Sequence, residues 1–192
     1  MMKKQTFSTA ELTMIGMYTA LLAVLSIVQI PMPSGVPITL QTFAVSLCGY
    51  CLGRRNGTLC ILLYLLLGVV GVPVFTGMTG GVGKLFGFTG GFLYGFLFLA
   101  FACGLGSRMK HQMAAAGSGL AGLLICHLLG SFHYSVVASA PDARVSFAQA
   151  FLLVSAPYLV KDVLSVIGAL LVSLALKKTL ARGGIALQKP SA

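Results

Sequence analysis

Asp162 is one of only three acidic residues in the chain, with Glu11 and Asp142, and it stands directly after Lys161 near the start of a long apolar run. From Asp162 to Lys177, the next charged residue, the rise along a helix is about 22 Å. Set against roughly 30 Å of hydrocarbon, that leaves the carboxylate inside the outer third of a membrane. An acid at that depth is costly and is by default a functional group facing a protein interior. Adjacent helical residues point about 100° apart, so Lys161 and Asp162 are expected to grip different parts of one ligand rather than neutralise each other. Tyr158 lies three and four residues before them, within reach of either. Gln41 opens another apolar run and faces lipid only at a cost, which suits a pocket. His127 and His133 lack a third ligand at metal spacing, so they read as pocket donors and not as a metal site.

A second cluster of interest is glycine, not charge. Residues 77–91 hold seven glycines and one lysine, Lys84. A phosphate loop would need glycine at 78 and Ser or Thr at 85, where Met78 and Leu85 stand, so that chemistry is excluded. Glycines still permit close approach of backbone N–H groups to a ligand, and Gly90 and Gly91 open a helix whose N-terminus suits an anion. The alternative is a tightly folded plug. Cys48 and Cys51 have redox spacing, but all five cysteines lie inside apolar runs, which favours inert buried thiols.

The elements that must position these groups follow from composition. Of 192 residues 57% are hydrophobic and 8% charged, with a mean hydropathy of +0.97. Soluble domains carry about 25% charged residues. A soluble enzyme, a disordered chain and a nucleic-acid module are therefore excluded, and the net charge of +10 reflects missing acids as much as added bases. The chain is expected to be one all-α transmembrane domain, 1–192, with six helices at about 12–30, 38–53, 57–73, 90–106, 113–137 and 157–176. The first is too long for a signal-peptide core. Arg54, Arg55 and Asn56 would link the second and third, which are short.

Ten Lys and Arg fall in one set of connections (Lys3, Lys4, Arg54, Arg55, Arg108, Lys110, Lys177, Lys178, Arg182, Lys189), and three in the other (Lys84, Arg144, Lys161). The imbalance puts both termini in the cytoplasm. Three outward connections result: the proline-rich segment 31–37, the glycine-rich loop 71–91, and a third with Pro141, Asp142 and Arg144. On the first helix, Gly16 with Ala20, and Thr19 with Ala23, form small-residue faces for close packing within the bundle or with a partner.

These residues resemble the BioY family, the substrate-binding (S) components of energy-coupling-factor (ECF) vitamin transporters. The most specific stretch runs from Gly71-Val72-Pro73-Val74-Phe75-Thr76-Gly77 through Gly80 and Gly81 to Thr89-Gly90-Gly91-Phe92-Leu93-Tyr94-Gly95-Phe96. Val36 to Thr42, and Pro157-Tyr158 before Asp162, are similar to further family motifs. The resemblance implies an S-component fold, an outward biotin pocket and the first outer loop as its lid. It implies no cofactor and no enzymatic activity of the chain's own. Its partners would be a transmembrane coupling subunit, docked on Gly16, Ala20 and Ala23, and two cytoplasmic ATPases. The localisation implied is a bacterial cell membrane.

Within that pocket the resemblance adds Gly80, Gly81, Gly91 and Tyr94 to Gln41, Tyr158, Lys161 and Asp162. Asp162 would accept from a ureido N–H of biotin, Lys161 or Lys84 would hold the carboxylate or the ureido oxygen, and Phe75 would cover the rings. The chain departs from the family pattern at Phe88, where proline is usual, and at Ser165, where a lysine is usual. It also departs in the His127 to His133 stretch and in having no tryptophan. The alternatives are an S component for another small vitamin and a self-sufficient proton-coupled transporter.

Overall fold

A computed structural model describes residues 7–139 and 144–182. Lys3, Lys4, Pro141, Asp142 and Lys189 lie outside the described residues. The described chain is mostly helical, in the order α1 (Thr9–Ile27), β1 (Gln29–Ile30), β2 (Ile38–Thr39), α2 (Gln41–Val69), α3 (Gly83–Phe86), α4 (Gly90–Gly106), α5 (Gln112–Val137), α6 (Phe147–Val154), a 3-10 turn (Ala156–Tyr158) and α7 (Leu159–Arg182). Helices α1, α2 and α5 are long and apolar enough to cross a membrane, as is the stretch Phe147–Arg182; Gly90–Gly106 is a shorter apolar helix. This is a membrane protein.

Several expected boundaries shift. Helix α1 begins at Thr9, not residue 12, because Ser8 and Glu11 form a capping box: the Ser8 hydroxyl accepts from the Glu11 amide, and the Glu11 carboxylate accepts from the Ser8 amide at 2.9 Å. It ends at Ile27, three residues early, because Gln29 and Ile30 pair antiparallel with Thr39 and Ile38. Residues 38 and 39 are therefore strand and not the start of the second helix. Pro31, Pro33 and Pro37 stop either helix from running into the loop, and the β-branched Ile30, Ile38 and Thr39 suit a short ladder.

The second and third expected helices are the two arms of α2. Gly53, at φ 77 and ψ 174, folds the chain back on itself, so Arg54, Arg55 and Asn56 start the second arm instead of forming a linker. The arms run antiparallel: Gln41 Nε2 donates to Tyr64 OH at 2.9 Å, and the Cys48 and Cys60 sulfurs are 3.5 Å apart. At 1.5 Å per residue they are about 18 and 24 Å long, both short for a bilayer. The fourth and fifth helices fall where expected. The sixth starts at Leu159 and continues to Arg182, preceded by α6.

Helix α4 is the centre of the bundle. Gly95 in α4 lies against Cys126 of α5, and Gly49 of α2 lies against Ala100 of α4; a Cβ at either glycine would collide with main chain. One apolar core joins α1, α2, α4, α5 and α7, and a smaller cluster, with Val36, Tyr134, Ala150, Val154 and Tyr158, sits under the proline-rich loop.

The basic residues gather at one end. Arg55 sits over the Phe7 ring, 4.1 Å from its centroid, and Arg54 backs onto Gly104, near the Arg108 and Lys110 connection. Lys177 comes close to Cys51, beside the Gly53 fold. The loops 28–40 and 70–89 occupy the opposite end.

Candidate ligand-binding site

A cavity of about 590 Å³ opens between α2, α4, α5 and α7 under those two loops. Its wall includes Asp162, Lys161, His127, Thr42, Phe92 and Phe96, and its roof includes Val36, Phe75, Lys84 and Phe88. The volume lies in the usual range for small-molecule sites, and the wall is largely apolar with a few polar groups, as such sites are.

Asp162 projects from the first turn of α7 and is only 5% exposed. The positive end of the helix dipole helps to keep an anion there. Lys161 does not diverge from it as expected: the flexible side chain bends back so that its ammonium contacts Asp162 Oδ1, while also donating to Thr39 O at 3.0 Å. The pair is an ion pair that also reaches strand β2. His127, 2% exposed, comes from α5 with Nε2 at 3.3 Å from Asp162 Oδ2 and Nδ1 at 3.0 Å from Ser155 Oγ.

Tyr158 faces the roof rather than Asp162. Its hydroxyl donates to Val36 O and lies 3.0 Å from Ser34 Oγ, and Tyr134 OH donates to Ser34 O at 3.1 Å. Phe88 packs over Gly35, whose φ of 77 is the left-handed conformation that glycine adopts without strain, and against the Tyr134 ring at 5.4 Å. The proline-rich loop is thus held shut over the cavity by side chains from α5, the 3-10 turn and the second loop.

Gln41 ties three segments together. Beside its bond to Tyr64, its Oε1 accepts from Thr39 Oγ1 at 3.1 Å and Thr76 Oγ1 at 3.0 Å. The tip of the Phe75 ring abuts Gly68, the ring meets Tyr64 in an edge-to-face contact, and its backbone pairs with Thr79 across a tight turn. Gly80 lines the cavity, closely packed on the Gly71 and Val72 main chain. Lys84 is exposed on α3 and borders the cavity, and its ammonium makes no ion pair or hydrogen bond among the described residues.

Three expected site residues lie behind the wall. The Gly81 amide donates to Gly68 O at 2.7 Å, fixing the loop base. Gly91 is where α4 meets His133 and the Leu129 carbonyl of α5. Tyr94 OH donates to Leu85 O at 3.0 Å, and His133 Nε2 is 3.0 Å from Gly87 O, so this pair shapes the glycine loop from below. On α1 the two small-residue faces separate. Gly16 and Ala20 are exposed, whereas Ala23 is half-buried against the core and Thr19 bonds to Ile15 O and Cys60 O.

Thr39, Thr42, Phe92 and Phe96 on the cavity wall sit inside the two sequence motifs without having been singled out. Ser155 gave no sequence signal, because its role depends on α5 lying beside the α6–α7 corner.

The BioY family model matches residues 1–182. The chain belongs to the BioY family. Among curated BioY relatives, the biotin transporter BioY of Thermotoga maritima is 39% identical over 169 residues, covering 88% of this chain and 96% of its own. The probable biotin transporter BioY of Pyrococcus horikoshii is 34% identical, covering 85% and 93%. The fold is that of the crystal structure of the S-component for biotin from an ECF-type ABC transporter, with a TM-score of 0.79 at 23% identity over 90% of this chain and 95% of that one. These relatives are named as biotin transporters, and the family match spans both the glycine loop and Asp162.

Proposed function

We propose that this chain binds biotin and serves as the substrate-specific subunit of an ECF-type transporter in a bacterial cell membrane. The observation that carries the reading is the roofed cavity with a buried acid, Asp162, on its wall, in a BioY-family chain. Biotin has a ureido ring with two N–H donors and one acceptor, an apolar sulfur-containing ring and a carboxylate tail. Asp162 accepts from a ureido N–H, Phe92 and Phe96 flank the rings, and Lys84 at the mouth meets the carboxylate. Lys161 is a poorer candidate for the carboxylate because Asp162 and Thr39 O already hold its ammonium.

The basic end faces the cytoplasm, by the excess of Lys and Arg there, so both termini are cytoplasmic and the cavity opens outward. Six membrane crossings, counting each arm of α2, fit this arrangement. The exposed Gly16 and Ala20 of α1 offer a smooth surface for a transmembrane coupling subunit, with two cytoplasmic ATPases supplying the energy.

Titration calorimetry of the purified chain with biotin tests the reading. Biotin should bind tightly, and Asp162→Asn should weaken it by about 1.5–3 kcal/mol through loss of a charged acceptor. Absence of binding, or preference for a different small vitamin, would overturn it.

A further inference from the structure

Buried polar atoms in folded proteins are nearly always hydrogen-bonded. Among the described residues, four buried side-chain atoms are not: Ser46 Oγ, Asn56 Oδ1, His127 Nε2 and Asp162 Oδ1. The last two belong to residues on the cavity wall. His127 and Lys161 lie close to the Asp162 oxygens as charge partners, without the alignment of a hydrogen bond.

The rest of the imidazole is fixed. Nδ1 is 3.0 Å from Ser155 Oγ, which is 2.7 Å from Ser131 Oγ, and the Phe92 ring stands edge-on with centroids 5.9 Å apart. A carboxylate only accepts, so a proton is favoured on the imidazole nitrogen beside it, Nε2. Nδ1 must then accept from Ser155, and Ser155 must accept from Ser131. That assignment satisfies both hydroxyls of the Ser131–Ser155–His127 relay. It leaves an Nε2–H donor next to a carboxylate acceptor, both at the cavity.

Resting on the biotin reading above, we infer that His127 is a ligand-binding residue whose Nε2–H donates to the urea oxygen while Asp162 accepts the adjacent N–H. A donor beside an acceptor matches the C=O and N–H edge of a cyclic urea. A ligand lacking that edge leaves His127 Nε2 and Asp162 Oδ1 without a hydrogen bond, which is a source of discrimination. Lys161 from α7, Thr42 from α2 and Phe92 from α4 line the same cavity, and Phe92 stands against the ring; of these only Lys161 is charged, and its ammonium is held by Asp162 and Thr39 O.

The test uses the full chain with biotin as probe. In ligand-free protein, long-range 1H–15N spectra of the histidines (three in the sequence) should show His127 as the Nε2–H tautomer. His127→Leu should weaken biotin by roughly 10–100-fold, and His127→Gln, which restores an N–H donor, should recover most of that loss. Ser155→Ala, a milder change, should weaken binding several-fold by releasing the tautomer. An Nδ1–H tautomer overturns the inference, as does equal loss in the Leu and Gln variants, or wild-type affinity in His127→Leu while the parent binds biotin. A parent chain that fails to bind biotin overturns the biotin reading and this inference with it.

Discussion

Tyr158→Phe should speed biotin release while leaving capture almost unchanged. The hydroxyl donates to Val36 O and meets Ser34 Oγ at 3.0 Å, and Val36 is 8% exposed, so its carbonyl has little access to water as a substitute. Removing a donor from a buried acceptor costs about 1–2 kcal/mol. That cost falls on the closed loop and not on the open one. At 1.4 kcal/mol per factor of ten, the dissociation rate should rise by about 5–30-fold. The loop loosens instead of detaching, because Tyr134 OH still holds Ser34 O at 3.1 Å and Lys161 still holds Thr39 O at 3.0 Å. Tyr134→Phe added to Tyr158→Phe should raise the rate further. Stopped-flow displacement of a labelled biotin by excess unlabelled biotin reads the dissociation rate directly. An unchanged dissociation rate, or a loss confined to the association rate, would refute the assignment of this loop as the closing element.

Other outcomes follow from the same geometry. Lys84→Gln should weaken biotin by about 1 kcal/mol, as for one partly solvated charged contact, but should not change binding of biotin amide, measured by calorimetry on both ligands. Ala20→Leu should leave biotin binding intact and reduce uptake in cells supplied with the coupling subunit, whereas Ala23→Leu should lower the thermal midpoint of the purified chain because that side chain packs on the core. Gly53→Ala forces a Cβ into the left-handed region at φ 77 and should destabilise the chain by about 1–2 kcal/mol, read as a lower melting temperature in detergent.

Much of the fold was legible because lipid imposes length and apolarity on every span. The fourth and fifth helices fell within a residue of expectation for that reason. The errors cluster where side-chain bonding or backbone pairing outweighs hydropathy. The Ser8 and Glu11 capping box was present in the sequence but is a four-residue signal beside a run of apolar residues. The β1–β2 pairing is non-local and could not be read from either segment alone.

In the site, Asp162 and Gln41 stood out because polar groups are rare in such runs. The bend of Lys161 onto its neighbour did not, since helical angles describe Cβ directions and not the reach of a four-carbon stem. His127 was visible as an unusual residue, but its partner Ser155 lies 28 positions away.

Lys161 has a consequence for how this protein can be tuned. One ammonium touches both the carboxylate proposed to read the ligand and the strand that carries the roof. Strength of recognition and length of stay are therefore joined at a single atom. A substitution there cannot trade a slower exit for a weaker grip, since both change together. A variant selected for faster turnover through this position would lose its ability to scavenge at low vitamin concentration. The independent route to faster exchange runs through Tyr134 and Tyr158, which touch the roof and leave Asp162 alone.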